Sequence, residues 1–367
     1  MKAEMASMEW LLLCASCGRR YPLLSKNWRC SCGSPLTVKW GEPPLFKVEA
    51  REHSLWRYHP LLPASFHRRI SLGEGLTPTV RAEFDKVAVL AKLEYLNPTG
   101  SFKDRGASLA ISHALEVGAR CVVEDSSGNA GAAIAAYASA AGLKARIYVP
   151  QDAPQYKKNL ISTFQADIIE MQSRSEAARA AIAELGKDDL YVGHLWNPFF
   201  IEGTKTIAFE LYEQIEKPPN VIIAPTAAGT LLLGLYKGFN ELIELGLVDK
   251  FPRLYAVQAA EVAPLYEAIH RKPPPRAASS LADGLRVSNP PHLKEMVHAI
   301  TSTHGGVCTV DNDQIQKALK TLHRKGFLIE PTSATALAAL WKLEESGEIA
   351  HGERILLMLT GSGLKAL

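Results

Sequence analysis

Short, almost wholly apolar runs alternate along this chain with segments whose apolar residues recur at helical spacing. "KVAVLAKLEYL", "RCVVEDSS", "KARIYVP", "DIIEMQ", "NVIIAPTAAG", "RLYAVQA" and "RILLMLT" read as strands. Between them "ASLAISHALEVG", "GNAGAAIAAYASAAG", "KKNLISTFQA", "SEAARAAIAELG" and "TLLLGLYKGFNELIELG" read as helices, the first closed by Gly118 as its C-cap. A strand that is apolar throughout must be covered on both faces, and the usual cover of a parallel sheet is helical. The rhythm therefore predicts parallel sheets packed between helices, an α/β class of fold. No fixed-period repeat interrupts it, and "HRKPPPRAASS" reads as a loop.

The charge balance narrows the function classes. A net charge of +3, with 22% charged and 47% hydrophobic residues, supplies a large core but no global field for nucleic acid or a membrane surface. The apolar runs are shorter than the roughly 20 residues a bilayer span takes. "EWLLLCASC" lacks a basic start and runs into cysteines, so it reads as mature protein, and the cytoplasm is the expected location.

Four of the six cysteines fall at Cys14, Cys17, Cys30 and Cys32, in a compositional unit that closes near residue 44 at Pro43 and Pro44. Cysteine pairs on two tight turns suit a tetrahedral zinc ion, with Gly18 and Gly33 following the second cysteine of each pair. The segment of residues 1–44 is expected to be a small N-terminal zinc-ribbon-like unit, and structural zinc is its candidate metal. Cys121 and Cys308 read as core residues.

In open α/β sheets ligands bind beyond the carboxyl ends of the strands. Three small-residue turns sit at such places. "DSSGNAG" offers Ser126, Ser127, Gly128 and Ala130 at a helix start, with the amide of Asn129. "PTAAGT" offers the N–H groups of Ala227, Ala228, Gly229 and Thr230, which suit a phosphate. "LTGSGL" follows a buried strand and turns the hydroxyl of Thr360 outward. Lys103, in "NPTGSFKDRG", adds an amine. A lysine, a phosphate cradle, an amide and a hydroxyl are what pyridoxal phosphate needs. On this reading Lys103 attaches the cofactor and Ala227 to Thr230 hold its phosphate. Asn129 faces its ring hydroxyl and Thr360 its ring nitrogen. A threonine at the ring nitrogen, in place of a carboxylate, tempers the electron sink and favours elimination and replacement over transamination.

"NPTGSFKDRG" resembles the active-site lysine motif of threonine synthases, in the fold-type II (tryptophan synthase β-like) pyridoxal phosphate family. "LGEGLTP", "SSGNAG", "NPFFIEGTKT", "DGLRVSNP", "EPTSATALAAL" and "LTGSGLK" are similar to the same family in the same order. The resemblance implies two three-layer α/β domains with mainly parallel sheets: a large cofactor-binding domain of residues 45–105 and 190–367, and a smaller mobile one of residues 106–189. It implies Phe102 beside the cofactor, Ser126, Ser127, Gly128 and Ala130 at the amino-acid substrate, a homodimer, and conversion of O-phosphohomoserine and water to threonine and phosphate. The chain departs from the family at the arginine that binds the substrate phosphate, here Phe200, at the preceding asparagine and serine, here His194 and Leu195, and at Ala130, usually threonine. Arg105, Lys205, His194 and Arg286 are the candidates for compensating charge. Two other readings stay open: β-replacement or β-elimination on a serine- or threonine-type substrate, and a non-catalytic scaffold on the same fold.

Overall fold

The computed structural model describes residues 10–63, 66–275, 280–350 and 352–366. In chain order it begins with β1 (Leu11–Cys14), β2 (Arg20–Pro22), β3 (Leu36–Lys39), β4 (Thr79–Phe84), β5 (Val87–Leu93) and α1 (Lys103–Glu116). There follow β6 (Cys121–Glu124), α2 (Asn129–Ala140), β7 (Lys144–Pro150), α3 (Gln155–Thr163), β8 (Asp167–Met171), α4 (Arg174–Ala183), β9 (Asp189–Tyr191) and α5 (Pro198–Gln214). The remainder is β10 (Val221–Pro225), α6 (Thr230–Glu244), β11 (Arg253–Ala259), α7 (Pro264–His270), α8 (Leu293–Ser302), β12 (Gly306–Val310), α9 (Asn312–Arg324), α10 (Pro331–Glu345) and β13 (Ile355–Leu359). Every strand and helix named from the sequence is present. Of the expected loop "HRKPPPRAASS", residues 276–279 lie outside the described residues.

The chain divides into two units, one of residues 1–76 and 103–206, the other of 77–102 and 207–367. The first holds a three-stranded antiparallel ribbon, β2-β1-β3, and a four-stranded sheet, β8-β7-β6-β9, whose neighbours are all parallel. Its core runs from Leu12, Leu36 and Val38 of the ribbon through Ile111 of α1 and Ile134 of α2 to Phe199 and Phe200. The ribbon therefore shares the core of the lysine-bearing helix. In the second unit the order is β12-β11-β10-β13-β5-β4, parallel throughout except for the β4–β5 hairpin at the edge. The central strands β10 and β13 are buried at every position, as their apolar runs predict for strands covered on both faces. No helix among the described residues is long and apolar enough to cross a membrane.

Candidate active site

Lys103 is the first residue of α1 and is half-buried there. Desolvation pushes its amine down from 10.5 to about 8, opposed by the charge of Glu124. An amine held that low is neutral in a useful fraction near neutral pH, as attack on an aldehyde requires. Asp104 and Arg105, which a surface helix would show to water, are fully buried instead. Arg105 donates to the Thr206 hydroxyl at 3.0 Å.

β6 aims its carboxyl end at the second feature of this unit. The Ser126–Asn129 turn opens α2, with Asn129 as its first residue. Ser126 Oγ accepts the Gly128 N–H at 3.2 Å. The turn folds back so far that a Cβ on Gly131 would lie 1.9 Å from the Ser126 carbonyl oxygen. Backbone cannot yield to that contact, so the "SSGNAG" spacing is enforced by packing.

The second unit carries the other expected groups. Thr226 donates its N–H to the Val257 carbonyl and its hydroxyl to the Ala224 carbonyl, fixing the turn after β10. Ala227 and Ala228 follow, then Gly229, the N-cap of α6, at φ 93° with Met296 packed behind it. Thr230 begins a 15-residue helix whose dipole and opening N–H groups favour an anion. After β13 the Thr360 hydroxyl lies 3.0 Å from Ser333 Oγ, and its carbonyl accepts the N–H of Phe102, the residue before the lysine. Within each unit these are groups of the kind pyridoxal phosphate uses: in the first an attachable amine and a helix-starting amide, in the second a helix terminus shaped for a phosphate and a buried hydroxyl pair. When bound, that cofactor withdraws electrons from the α-carbon of an amino acid attached to it.

Three residues here were not anticipated as site residues. Ser333, at the head of α10 in "EPTSATAL", bonds both Thr360 and Gly361. Glu124 ends β6 fully buried, and its carboxylate oxygens meet the His194 N–H and the His194 Nδ1, each at 3.1 Å. Asp125, next to it, accepts the Tyr191 hydroxyl at 2.7 Å. The signal was present: a carboxylate closing an otherwise apolar strand at the ligand-binding end. Burial pushes Glu124 up from 4.5 to about 8, opposed by the His194 N–H and by Lys103. Burial and the neighbouring Glu124 push Asp125 up from 3.8 to about 6. Desolvation and Lys103 hold His194 well below its ordinary range. The pair thus keeps one proton between Glu124 Oε1 and His194 Nδ1 near neutral pH.

A pH dependence follows. Between 4.5 and about 8 the folded protein keeps a proton on Glu124 that the unfolded chain has lost, so stability falls as pH rises through this window. Asp125 acts the same way up to about 6. His194, held below 6.5, acts in the opposite direction up to that pH, so the descent is read above it: in thermal melts of cofactor-free protein from pH 6.5 to 8, Glu124→Gln is expected to flatten it. Equal slopes in the variant and the parent would mean that Glu124 is ionised in the fold.

The compensating cations expected from the sequence are engaged by other groups. Lys205 is fully buried against Glu202 at 2.7 Å, with Trp10 and Trp40 over its amine at 5.4 and 5.3 Å. Arg286 donates to Glu261 at 3.2 Å, and His194 faces Glu124. Phe200 itself is fully buried, and a Cβ on Gly106 of α1 would lie 2.0 Å from its ring. The ring therefore fills the space that opens where α1 lacks a side chain.

The fold and the lysine define a class, α/β enzymes that work through an amine-bound aldehyde cofactor. The chain belongs to the pyridoxal-phosphate dependent enzyme family, whose model matches residues 70–361. Threonine synthase of Methanocaldococcus jannaschii is 33% identical over 96% of this chain and 92% of its own length. Threonine synthase of Methanosarcina acetivorans is 30% identical over the same shares. Among solved structures, the threonine deaminase of T.th. superposes at a TM-score of 0.64 with 27% identity, over 78% of this chain and 92% of that one. Serine racemase of Dictyostelium discoideum matches with the same values. The protein is a pyridoxal-phosphate dependent lyase of the threonine synthase group.

Proposed function

We propose that the enzyme converts O-phosphohomoserine and water to threonine and phosphate. The observation that carries this reading is the lysine segment "NPTGSFKDRG" at the start of α1, in a chain similar to threonine synthases over nearly its whole length. Lys103 would attach the cofactor's aldehyde and, when free, would move protons between the substrate carbons. The N–H groups of residues 227–230 hold the cofactor phosphate. Asn129 would hold the cofactor's ring hydroxyl, and Thr360, braced by Ser333 at 3.0 Å, would serve its ring nitrogen as a hydroxyl in place of a carboxylate. Phe102 lies beside the ring. Ser126, Ser127, Gly128 and Ala130 would bind the amino-acid substrate. The same reading takes the enzyme to be a cytoplasmic homodimer, with a mobile domain of residues 106–189.

One observation favours a second reading. Fully buried Phe200 stands in place of a phosphate-binding arginine, and Glu124 is buried at the head of the substrate turn. A phosphate ester deprived of charge-assisted hydrogen bonds loses about 1.5–3 kcal/mol for each. A carboxyl neighbour does not replace them. A neutral hydroxy amino acid such as serine or threonine suffers no such loss, and its elimination gives a keto acid and ammonia. Incubating purified holoenzyme with O-phosphohomoserine and assaying phosphate tests the first reading. It requires release well above a Lys103→Ala control. Keto acid from serine or threonine, without phosphate from O-phosphohomoserine, replaces it with the second.

A further inference from the structure

The N-terminal ribbon lies outside the machinery just described, yet it contains a cluster of four thiols. Cys14 ends β1, and its carbonyl accepts the Gly18 N–H at 2.9 Å. The Cys30 carbonyl accepts the Gly33 N–H at 2.8 Å. Gly18 and Gly33 take φ of 72° and 88°, the left-handed backbone that lets each turn close around its sulfurs. Cys14 Sγ lies 3.6 Å from Cys32 Sγ and Cys17 Sγ 3.5 Å from Cys30 Sγ, so the short approaches run between the two turns. All four sulfurs lie within 4.8 Å of one another. Zinc–sulfur bonds of about 2.3 Å in a tetrahedron put the sulfurs about 3.8 Å apart, so the cluster has the dimensions of a zinc site. Tyr21 donates to Cys30 Sγ at 3.3 Å, an outer hydrogen bond of the kind that steadies a ligating thiolate. Cys14 and Cys30 are buried while Cys17 and Cys32 are exposed, which leaves an entry side.

The same ribbon reaches toward the substrate turn. Trp28 stands two residues before Cys30. Its ring meets Tyr191 edge-on at 4.8 Å and Trp196 at 5.5 Å. The Arg29 guanidinium covers it at 4.5 Å, and Lys26 donates to the Lys187 carbonyl at 2.7 Å. Tyr191, on β9, holds Asp125, and Asp125 leads into Ser126. The path from the cysteine cluster to the turn that opens α2 therefore runs along two residues of backbone from Cys30 to Trp28, through the side chains of Trp28, Tyr191 and Asp125, and along the backbone to Ser126.

We propose that Cys14, Cys17, Cys30 and Cys32 bind one zinc ion, and that this metal, by seating Trp28 against Tyr191, holds the Asp125–Gly131 turn in place. Four Zn–S bonds form, and each thiol that was protonated gives its proton to solvent. No redox change is involved. The ribbon strands are three to four residues each, so a metal cross-link adds to the Lys26–Lys187 bond in fixing the Trp28 arm. Trp28 is a positioning residue, acting through Tyr191.

The test uses full-length protein and does not depend on turnover, so it stands apart from the substrate question. Elemental mass spectrometry of protein purified with added zinc is expected to give about one zinc per chain, and the double variant Cys17→Ser/Cys32→Ser close to none. Hydrogen exchange of the peptide spanning residues 125–131 is expected to quicken several-fold in that variant and after chelation. Trp28→Ala is expected to keep its zinc and show the same quickening, and Trp28→Phe to restore slow exchange. Far-ultraviolet circular dichroism checks that each variant is folded. A zinc ratio near zero in the parent protein overturns the metal site. Unchanged exchange at 125–131 in both the zinc-free and the Trp28→Ala proteins overturns the link.

Discussion

Lys103→Ala protein, saturated with pyridoxal phosphate and treated with borohydride, is expected to show no cofactor adduct by intact mass, and its turnover to fall by at least about 10³-fold. The reasoning starts from the backbone. The turn before α1 is fixed by main-chain bonds, the Phe102 N–H on the Thr360 carbonyl and the Ser362 N–H on the Gly100 carbonyl, and the substitution leaves both intact. Alanine is a better helix former than lysine, so α1 is not weakened. Removing a half-buried, desolvated amine also relieves a burial cost. The variant should therefore fold and still take up cofactor without a covalent bond. What it lacks is the one group that can attach the aldehyde and afterwards carry a proton between neighbouring carbons. An adduct on another lysine with turnover near that of the parent would falsify the assignment of Lys103. Loss of both adduct and turnover in a folded variant is the outcome expected.

The parts of this fold that were readable are those where one strand decides the outcome alone. β10, with "VIIAP", and β13, with "ILLML", are buried at every position and were legible as apolar runs. Lys103, the Asn129 amide and Thr360 stood out because they adjoin short turns whose composition is itself a signal, Lys103 and Asn129 as the first residues of α1 and α2. Less was legible where two distant segments decide together. Asp104 and Arg105 look like helix-surface charges, and the helix reading began only at Ala107, but both are buried and α1 starts at Lys103. Arg105 finds Thr206, 101 residues away. Glu124 looked like the charge that ends a strand. Only the fold brings it to His194, 70 residues on, where the resemblance had already marked a departure. Ser333 was quoted within a motif and given no role, because its partner Thr360 lies 27 residues later. Composition foretold the thiols of the ribbon. It gave no hint that Trp28 would meet Tyr191, because aromatic pairing between separate elements leaves no periodic trace in a sequence.

The same limit hid a buried ion pair in the second unit, and it carries the largest stability effect expected of a single substitution here. Lys92 lies in β5, inside the run "KVAVLAKLEYL" that read as strand with no role for its lysines, and it is fully buried. Its Nζ donates to Glu210 Oε2 at 2.7 Å, to the Thr77 carbonyl at 2.7 Å and to Gln214 Oε1 at 3.0 Å. Glu210, on α5, is also fully buried. Cutting the carboxylate away in Glu210→Ala removes the buried ion-pair bond that Lys92 makes at 2.7 Å, at a cost of about 3–5 kcal/mol. Glu210→Gln keeps an oxygen acceptor and should lose less. The double variant Lys92→Met/Glu210→Leu removes both charges and replaces them with apolar volume, so it should recover most of the loss. Urea unfolding of the four proteins measures each step. If the double variant proved as unstable as Glu210→Ala, the cost would lie in packing around β5 and α5, not in the lost ion pair.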